Sequence, residues 1–231
     1  MTTVVITGAN RGLGLALAKH YLGLGATVIG GCRKPDAATD LAAAGAEVHQ
    51  LDTGSGESIA AFASALGGRP VDVLFNNAGI DATAVGADDG ARGALDITEA
   101  QFRSVIDVNV LGPLLMVQAL ADNLRAASGK VINVSSQVGS FDVAKQIGRD
   151  ASYTSSKAAL NMLSVKQSQV LQPDGVSVIA LHPGWVRSDM GGPSATLEPA
   201  DAASSIADVV DRLAIEQTGS FFQWDGSIHP W

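Results

Sequence analysis

"VVITGANRGLGLALAKHY" (residues 4–21) passes from a β-branched apolar run through Gly8, Gly12 and Gly14 into a helical pattern. Glycines let a backbone turn tightly and come close to a pyrophosphate. The helix that follows offers free N–H groups and the positive end of its dipole to an anion. A glycine triplet means little alone, but this one follows a strand and opens a helix, which is the context a nucleotide site requires. Gly8, Asn10, Arg11, Gly12, Leu13 and Gly14 are therefore candidate cofactor contacts.

Working outward, short β-rich runs alternate with longer helical patterns. Strands are expected over 2–7, 26–31, 46–51, 71–76, 130–135 and 176–181, with a first helix over 13–23. That alternation implies βαβ units and a parallel sheet with right-handed crossovers. No linker, internal repeat or low-complexity tract divides the chain. Three loops exceed what a connection needs: 79–96, 137–151 and 184–198. The last two follow the carboxyl ends of strands, where open α/β sheets bind ligands.

With 231 residues, 46% hydrophobic and 16% charged, the chain can bury a substantial core. A net charge of −8 disfavours nucleic acid or anionic membrane as partners. The lone cysteine, Cys32, rules out an intrachain disulfide, and it reads as a small buried hydrophobe. "MTTVVITGAN" has neither a basic start nor a long apolar core, and no apolar run approaches a membrane span, so a cytoplasmic protein is expected. His20, His49, His182 and His229 lack metal-ligand spacing, and no metal is expected.

The charge is unevenly spread. Residues 1–35 hold Arg11, Lys19, Arg33 and Lys34 and no acid. The second strand ends "IGGCRKP", without the carboxylate that accepts from a ribose 2′-OH in NAD sites. Arg11 and Arg33 can instead grip a 2′-phosphate through charge-assisted hydrogen bonds. NADP(H) is the expected cofactor.

Tyr153 and Lys157, in "SYTSSKAAL" (152–160), share one helix face. A free phenol has a pKa near ~10. A cation at ~4 Å favours phenolate by about 4 kcal/mol at an effective dielectric of ~20, and the expected net direction is a tyrosine that exchanges protons near neutrality. Ser135 and Ser136 stand just past the fifth strand. Asn109 lies four residues before Pro113, whose missing N–H orphans the Asn109 carbonyl. The helix carrying Asn109 is expected to start at Thr98, with Gln101 completing a capping box.

The order "TGANRGLG", "NNAG", "SSQVG", "YTSSK" and "HPGWVRSDMGG" resembles the short-chain dehydrogenase/reductase family over nearly the whole chain. The resemblance implies a single-domain Rossmann-type α/β fold over 1–231: a doubly wound parallel sheet with helices on both faces and a substrate loop about 184–198. It implies a catalytic set of Asn109, Ser136, Tyr153 and Lys157, in which Ser136 holds the substrate oxygen and the Asn109 carbonyl holds a water that relays protons to the lysine. It carries cofactor contacts to Asp52, Thr53, Asn77, Ala78, Gly79, Pro183, Gly184, Val186 and Ser188. Gln137, Trp185 and Met190 are candidate substrate contacts. The gap from Ser136 to Tyr153 exceeds the family's usual one by a few residues.

Within the family, "HPGWVRSDMGG", "SSKAALNML" and the ending "FFQWDGSIHPW" look most like the C-factor-like carbonyl reductases. That likeness implies NADPH-dependent reduction of a small-molecule ketone or aldehyde. An NAD-linked alcohol dehydrogenase and a non-enzymatic cofactor-binding signalling protein remain as alternatives. The apolar stretch 110–120 serves either the core or a homodimer or homotetramer contact.

Overall fold

The computed structural model describes residues 2–147 and 150–231. Seven strands form one parallel sheet: β1 (Thr3–Thr7), β2 (Thr27–Cys32), β3 (Glu47–Gln50), β4 (Val73–Asn76), β5 (Lys130–Val134), β6 (Ser177–His182) and β7 (Phe221–Gln223). Their order is β3-β2-β1-β4-β5-β6-β7. The order reverses between β1 and β4, so a crevice opens there at the strands' carboxyl ends.

The helices are α1 (Gly12–Gly23), α2 (Thr39–Ala43), α3 (Gly56–Leu66), α4 (Glu99–Ile106), α5 (Gly112–Ala119), α6 (Ala121–Ala127), α7 (Phe141–Ala144), α8 (Ala151–Leu171) and α9 (Pro199–Arg212). Two separate apolar cores explain the two layers. Successive strand side chains point to opposite faces. On β1, Val4 and Ile6 join Leu17 of α1 and Ile206 and Val210 of α9. Val5 joins Phe62 of α3, Met116 of α5 and Leu171 of α8. A sheet covered on both faces needs near-continuous apolar strands, and "VVI" supplies them.

Each of the six strands expected from sequence is present, with ends shifted by one or two residues. The seventh, β7, was not expected. It is three residues long, pairs with β6 through Phe221 and Phe222, and sits at the sheet edge, too short to show a period. In the stretch 110–120, Met116, Val117 and Leu120 enter the core and Leu111 stays exposed.

The long loops are structured. Loop 79–96 contains a 3₁₀ turn at Ala82–Val85. Loop 137–151 contains another at Gln137–Gly139 and then α7; its residues 148–149 lie outside the described residues. Loop 184–198 is closed by a Val186–Leu197 bridge and by Arg187 N donating to Leu197 O at 2.8 Å. Among the described residues no single helix is long and apolar enough to cross a membrane.

Candidate active site

β1 delivers its last residue, Thr7, beneath the glycine turn. The Thr7 hydroxyl accepts from Asn77 N at 3.0 Å and Ala78 N at 2.9 Å. The Asn77 amide donates to Thr7 O at 2.9 Å. The "NNAG" segment thus braces the turn from behind. Gly8 has φ +66°, and a Cβ there would meet Ala78 Cα at 3.1 Å. A Cβ on Gly14 would collide with the Gly8 carbonyl oxygen. Only glycine permits this packing. Arg11 sits at the N-cap of α1 without a side-chain cap, and the first turn holds no acid. The helix's free N–H groups are left for an outside anion.

That turn forms one wall of a cleft of about 1700 Å³. Every candidate site residue from the sequence lines it except Asn109. One end carries Arg11, Lys19, Arg33 and Lys34, with Cys32 buried at the tip of β2. Arg11 forms an ion pair with Asp189 of loop 184–198, a partner the sequence did not suggest. Asp52 and Thr53 line the cleft beside β3; the Asp52 carboxylate accepts from Gly54 N at 3.0 Å, while Ser55 is the residue that caps α3. A cradle without Cβ atoms, an uncapped helix N-terminus and a cationic end fit a dinucleotide with an extra phosphate.

Farther along, Ser136, Tyr153 and Lys157 face the same space. Lys157 is 4% exposed, and its Nζ donates to Val134 O at 2.8 Å. Burial pulls its ammonium down to about 8. Ser135 and Ser136 sit in different surroundings. Ser135 is buried and donates to Asn161 Oδ1 at 2.6 Å, holding α8 to β5. Ser136 lies at the cleft surface, its hydroxyl accepting from Val138 N at 3.4 Å.

The phenol of Tyr153 departs from the sequence expectation. Burial pushes it up to about 12, with the Ser136 hydroxyl opposing and the charges of Asp81 and Asp150 adding. The expected depression assumed an ammonium that offsets burial; here Lys157 is itself buried, its Nζ bonded to Val134 O, and Ser136 is the group that lowers the phenol. Desolvation therefore outweighs the cation.

Asn109 is fully buried behind the cleft wall. Its Oδ1 accepts from Ile80 N at 2.9 Å, and its Nδ2 donates to Ile80 O at 2.8 Å and Ser156 Oγ at 2.9 Å. Thr98 and Gln101 form a reciprocal capping box at the start of α4. The helix then widens to a π-turn over Asp107–Leu111, just before Pro113. A proline that cannot donate to Asn109 O favours such a break.

Loop 184–198 covers the cleft from the other side. Ser188 sits 3.4 Å from where a Gly12 Cβ would lie. Trp185 and Met190 are half-exposed and line the cleft, with Trp185 Nε1 donating to Gly191 O at 2.9 Å. Four more residues belong here that sequence reasoning passed over: Thr7, Arg92, Asp150 and Asp189. Asp150 had a readable signal, an Asp three residues before Tyr153 at the start of a helical run. Arg92 and Asp189 had none, because the partners that tie them to the site, Asp150 and Arg11, are distant in sequence. His182 is the last residue of β6; burial and the nearby His229 hold it down to about 4, so it stays neutral.

A parallel sheet in this order, with a glycine cradle at the reversal point, defines a Rossmann-type dinucleotide-binding fold. Comparison with known proteins narrows the class. The sequence model for "short chain dehydrogenase" matches residues 2–198. The C-signal protein of Myxococcus xanthus is 40% identical over 173 residues, covering 74% of this chain and 99% of that protein. A 1-hydroxy-2-glutathionyl-2-methyl-3-butene dehydrogenase from a Rhodococcus species is 35% identical over 238 residues, covering 100% of both. The crystal structure of an NADPH-bound carbonyl reductase from chicken fatty liver superposes with TM-score 0.89 at 31% identity, covering 100% of this chain and 99% of that one. The chain belongs to the short-chain dehydrogenase/reductase family and is an oxidoreductase related to the C-factor and carbonyl reductase members.

Proposed function

We propose that the protein is an NADP(H)-dependent reductase of uncharged ketones or aldehydes. The observation that carries this reading is the convergence of Ser136, Tyr153 and Lys157 on the same cleft as the glycine cradle and the Arg11–Arg33 end. When bound, the reduced nicotinamide supplies the hydride to the carbonyl carbon. Ser136 donates a hydrogen bond to the carbonyl oxygen and holds it beside the Tyr153 hydroxyl. Tyr153 gives that oxygen its proton. Lys157 then returns a proton toward the phenolate and, in the family's pattern, also holds the cofactor ribose.

The raised phenol suits this direction. A group held protonated at neutral pH is ready to donate, whereas alcohol oxidation needs a base. The resulting alkoxide is far more basic than a phenolate, so the transfer stays downhill. Arg11 and Arg33 favour NADPH over NADH through the 2′-phosphate, and Arg11 shares or leaves Asp189 to reach it. Gly8, Gly12, Gly14, Asn10 and Leu13 cradle the diphosphate; Asp52 and Thr53 meet the adenine; Ala78, Gly79, Pro183, Gly184, Val186 and Ser188 meet the nicotinamide half. Asn77 acts through its brace on Thr7. Gln137, Trp185 and Met190 wall the substrate.

The 40% identity to the C-signal protein favours one second reading, a cofactor-binding signalling protein. NADPH oxidation with a panel of aryl ketones separates the two. Turnover lost in Tyr153→Phe supports the reductase, and NADPH binding with no turnover on any ketone supports the signalling protein.

A further inference from the structure

We propose that Asp150, bridged to Arg92, is a positioning residue that sets the Tyr153 hydroxyl by tying the start of α8 to loop 79–96. The proposal rests on the role given to Tyr153 above. Its starting point is an excess of bonding at one carboxylate. An ordinary N-cap uses one side-chain acceptor on one N–H of the first turn. Asp150 is the N-cap of α8, and its Oδ1 accepts from Tyr153 N at 2.9 Å and from Ser152 Oγ at 2.7 Å. That alone would complete the cap.

The second oxygen serves another segment. Oδ2 accepts from Ala82 N at 2.9 Å and lies 3.9 Å from Arg92 Nη1. Ala151 N donates to Arg92 O at 2.9 Å, a second stitch at the same place. Arg92 also reaches Asp81 at 3.5 Å and Asp89 at 2.6 Å, both within loop 79–96. Asp81 in turn caps the turn at Ala82–Val85. So one carboxylate, 7% exposed, holds the backbone N–H of Tyr153 with one oxygen and, with the other, loop 79–96, whose Ile80, Asp81 and Ala84 line the cleft. The tyrosine's height and tilt are thereby set relative to that wall of the cleft. A group one ångström out of place loses much of its catalytic benefit, so this bridge should appear in kcat.

Serine and asparagine at 150 keep an acceptor for Tyr153 N but cannot bridge both segments. Asp150→Ser, Asp150→Asn, Arg92→Met, Arg92→Lys and the double variant Asp150→Ser/Arg92→Met are assayed for kcat, KM for an aryl ketone, Kd for NADPH and Tm, with Tyr153→Phe alongside. The expected result is a kcat about tenfold lower in Asp150→Ser, Asp150→Asn and Arg92→Met. Kd for NADPH stays within twofold, and Arg92→Lys recovers most of the loss. The double variant is expected to be no worse than the worse single, because both break the same bridge. Losses that multiply in the double variant, or a kcat within twofold of wild type in Asp150→Ser while Tyr153→Phe is inactive, would overturn the positioning role. Wild-type turnover in Tyr153→Phe would instead overturn the mechanism it serves.

Discussion

Replacing Lys157 with methionine should abolish activity and, at neutral pH, leave a protein at least as stable as the wild type. The lysine is 4% exposed and burial lowers its ammonium from 10.5 to about 8. At about 1.36 kcal/mol per pH unit, keeping that charge inside opposes folding by about 3 kcal/mol at pH 7. Methionine fills a similar volume without the charge. It also leaves Val134 O, now bonded at 2.8 Å, without this donor, which takes back about 1–3 kcal/mol. The net gain at pH 7 is therefore small, but its pH dependence is not. Between about pH 8 and 10.5 the unfolded chain holds a proton that the folded protein has released. Wild-type stability contributed by this group consequently rises with pH through that window. Chemical denaturation of both proteins at pH 7 and 10.5 should show the variant's stability relative to wild type falling by about 3 kcal/mol, so that a small advantage becomes a deficit. Other groups that titrate there are present in both proteins and cancel in the difference. An advantage that does not change with pH would refute the claim that this amine is buried as a cation. On the proposed mechanism, this lysine favours activity at the expense of stability.

Arg11→Ala and Arg33→Ala should each weaken NADPH binding about tenfold, an effect of roughly 1–2 kcal/mol for a solvent-exposed charged contact, and leave NADH unchanged; fluorescence titration with both cofactors checks this. Ser135→Ala and Ser136→Ala should separate cleanly. The first leaves Asn161 without its 2.6 Å donor and should lower Tm by several degrees, while the second should reduce kcat by about 10²-fold at nearly unchanged Tm. Gly14→Ala forces a methyl against the Gly8 carbonyl and should lose about 1–3 kcal/mol of stability together with NADPH affinity, read by melting and titration.

The sheet was largely legible because its strands are apolar on both faces and are punctuated by glycine, Asp and Asn. β7 escaped because three residues at an edge carry no period. The cleft was legible where chemistry follows local spacing: the glycine turn, the Tyr153–Lys157 pair, and the serines at the end of β5. Choosing Ser136 over Ser135 came from the family resemblance, and the two side chains differ in surroundings: Ser135 is buried and donates to Asn161, while Ser136 is partly exposed in the cleft. What sequence could not show were effects that depend on three-dimensional environment. The phenol's rise follows from burial and from Asp81, which is distant in sequence. The Arg11–Asp189 pair and the Asp150–Arg92 bridge join segments that only the fold brings together.

The central claim is that a buried phenol gives a proton to a carbonyl oxygen in an NADPH cleft. Steady-state NADPH oxidation with an aryl ketone, in wild type and in Tyr153→Phe, tests it most directly. Turnover should fall by about 10²–10⁴-fold in the variant while Kd for NADPH stays within a few fold. Equal turnover in the two proteins would contradict the account.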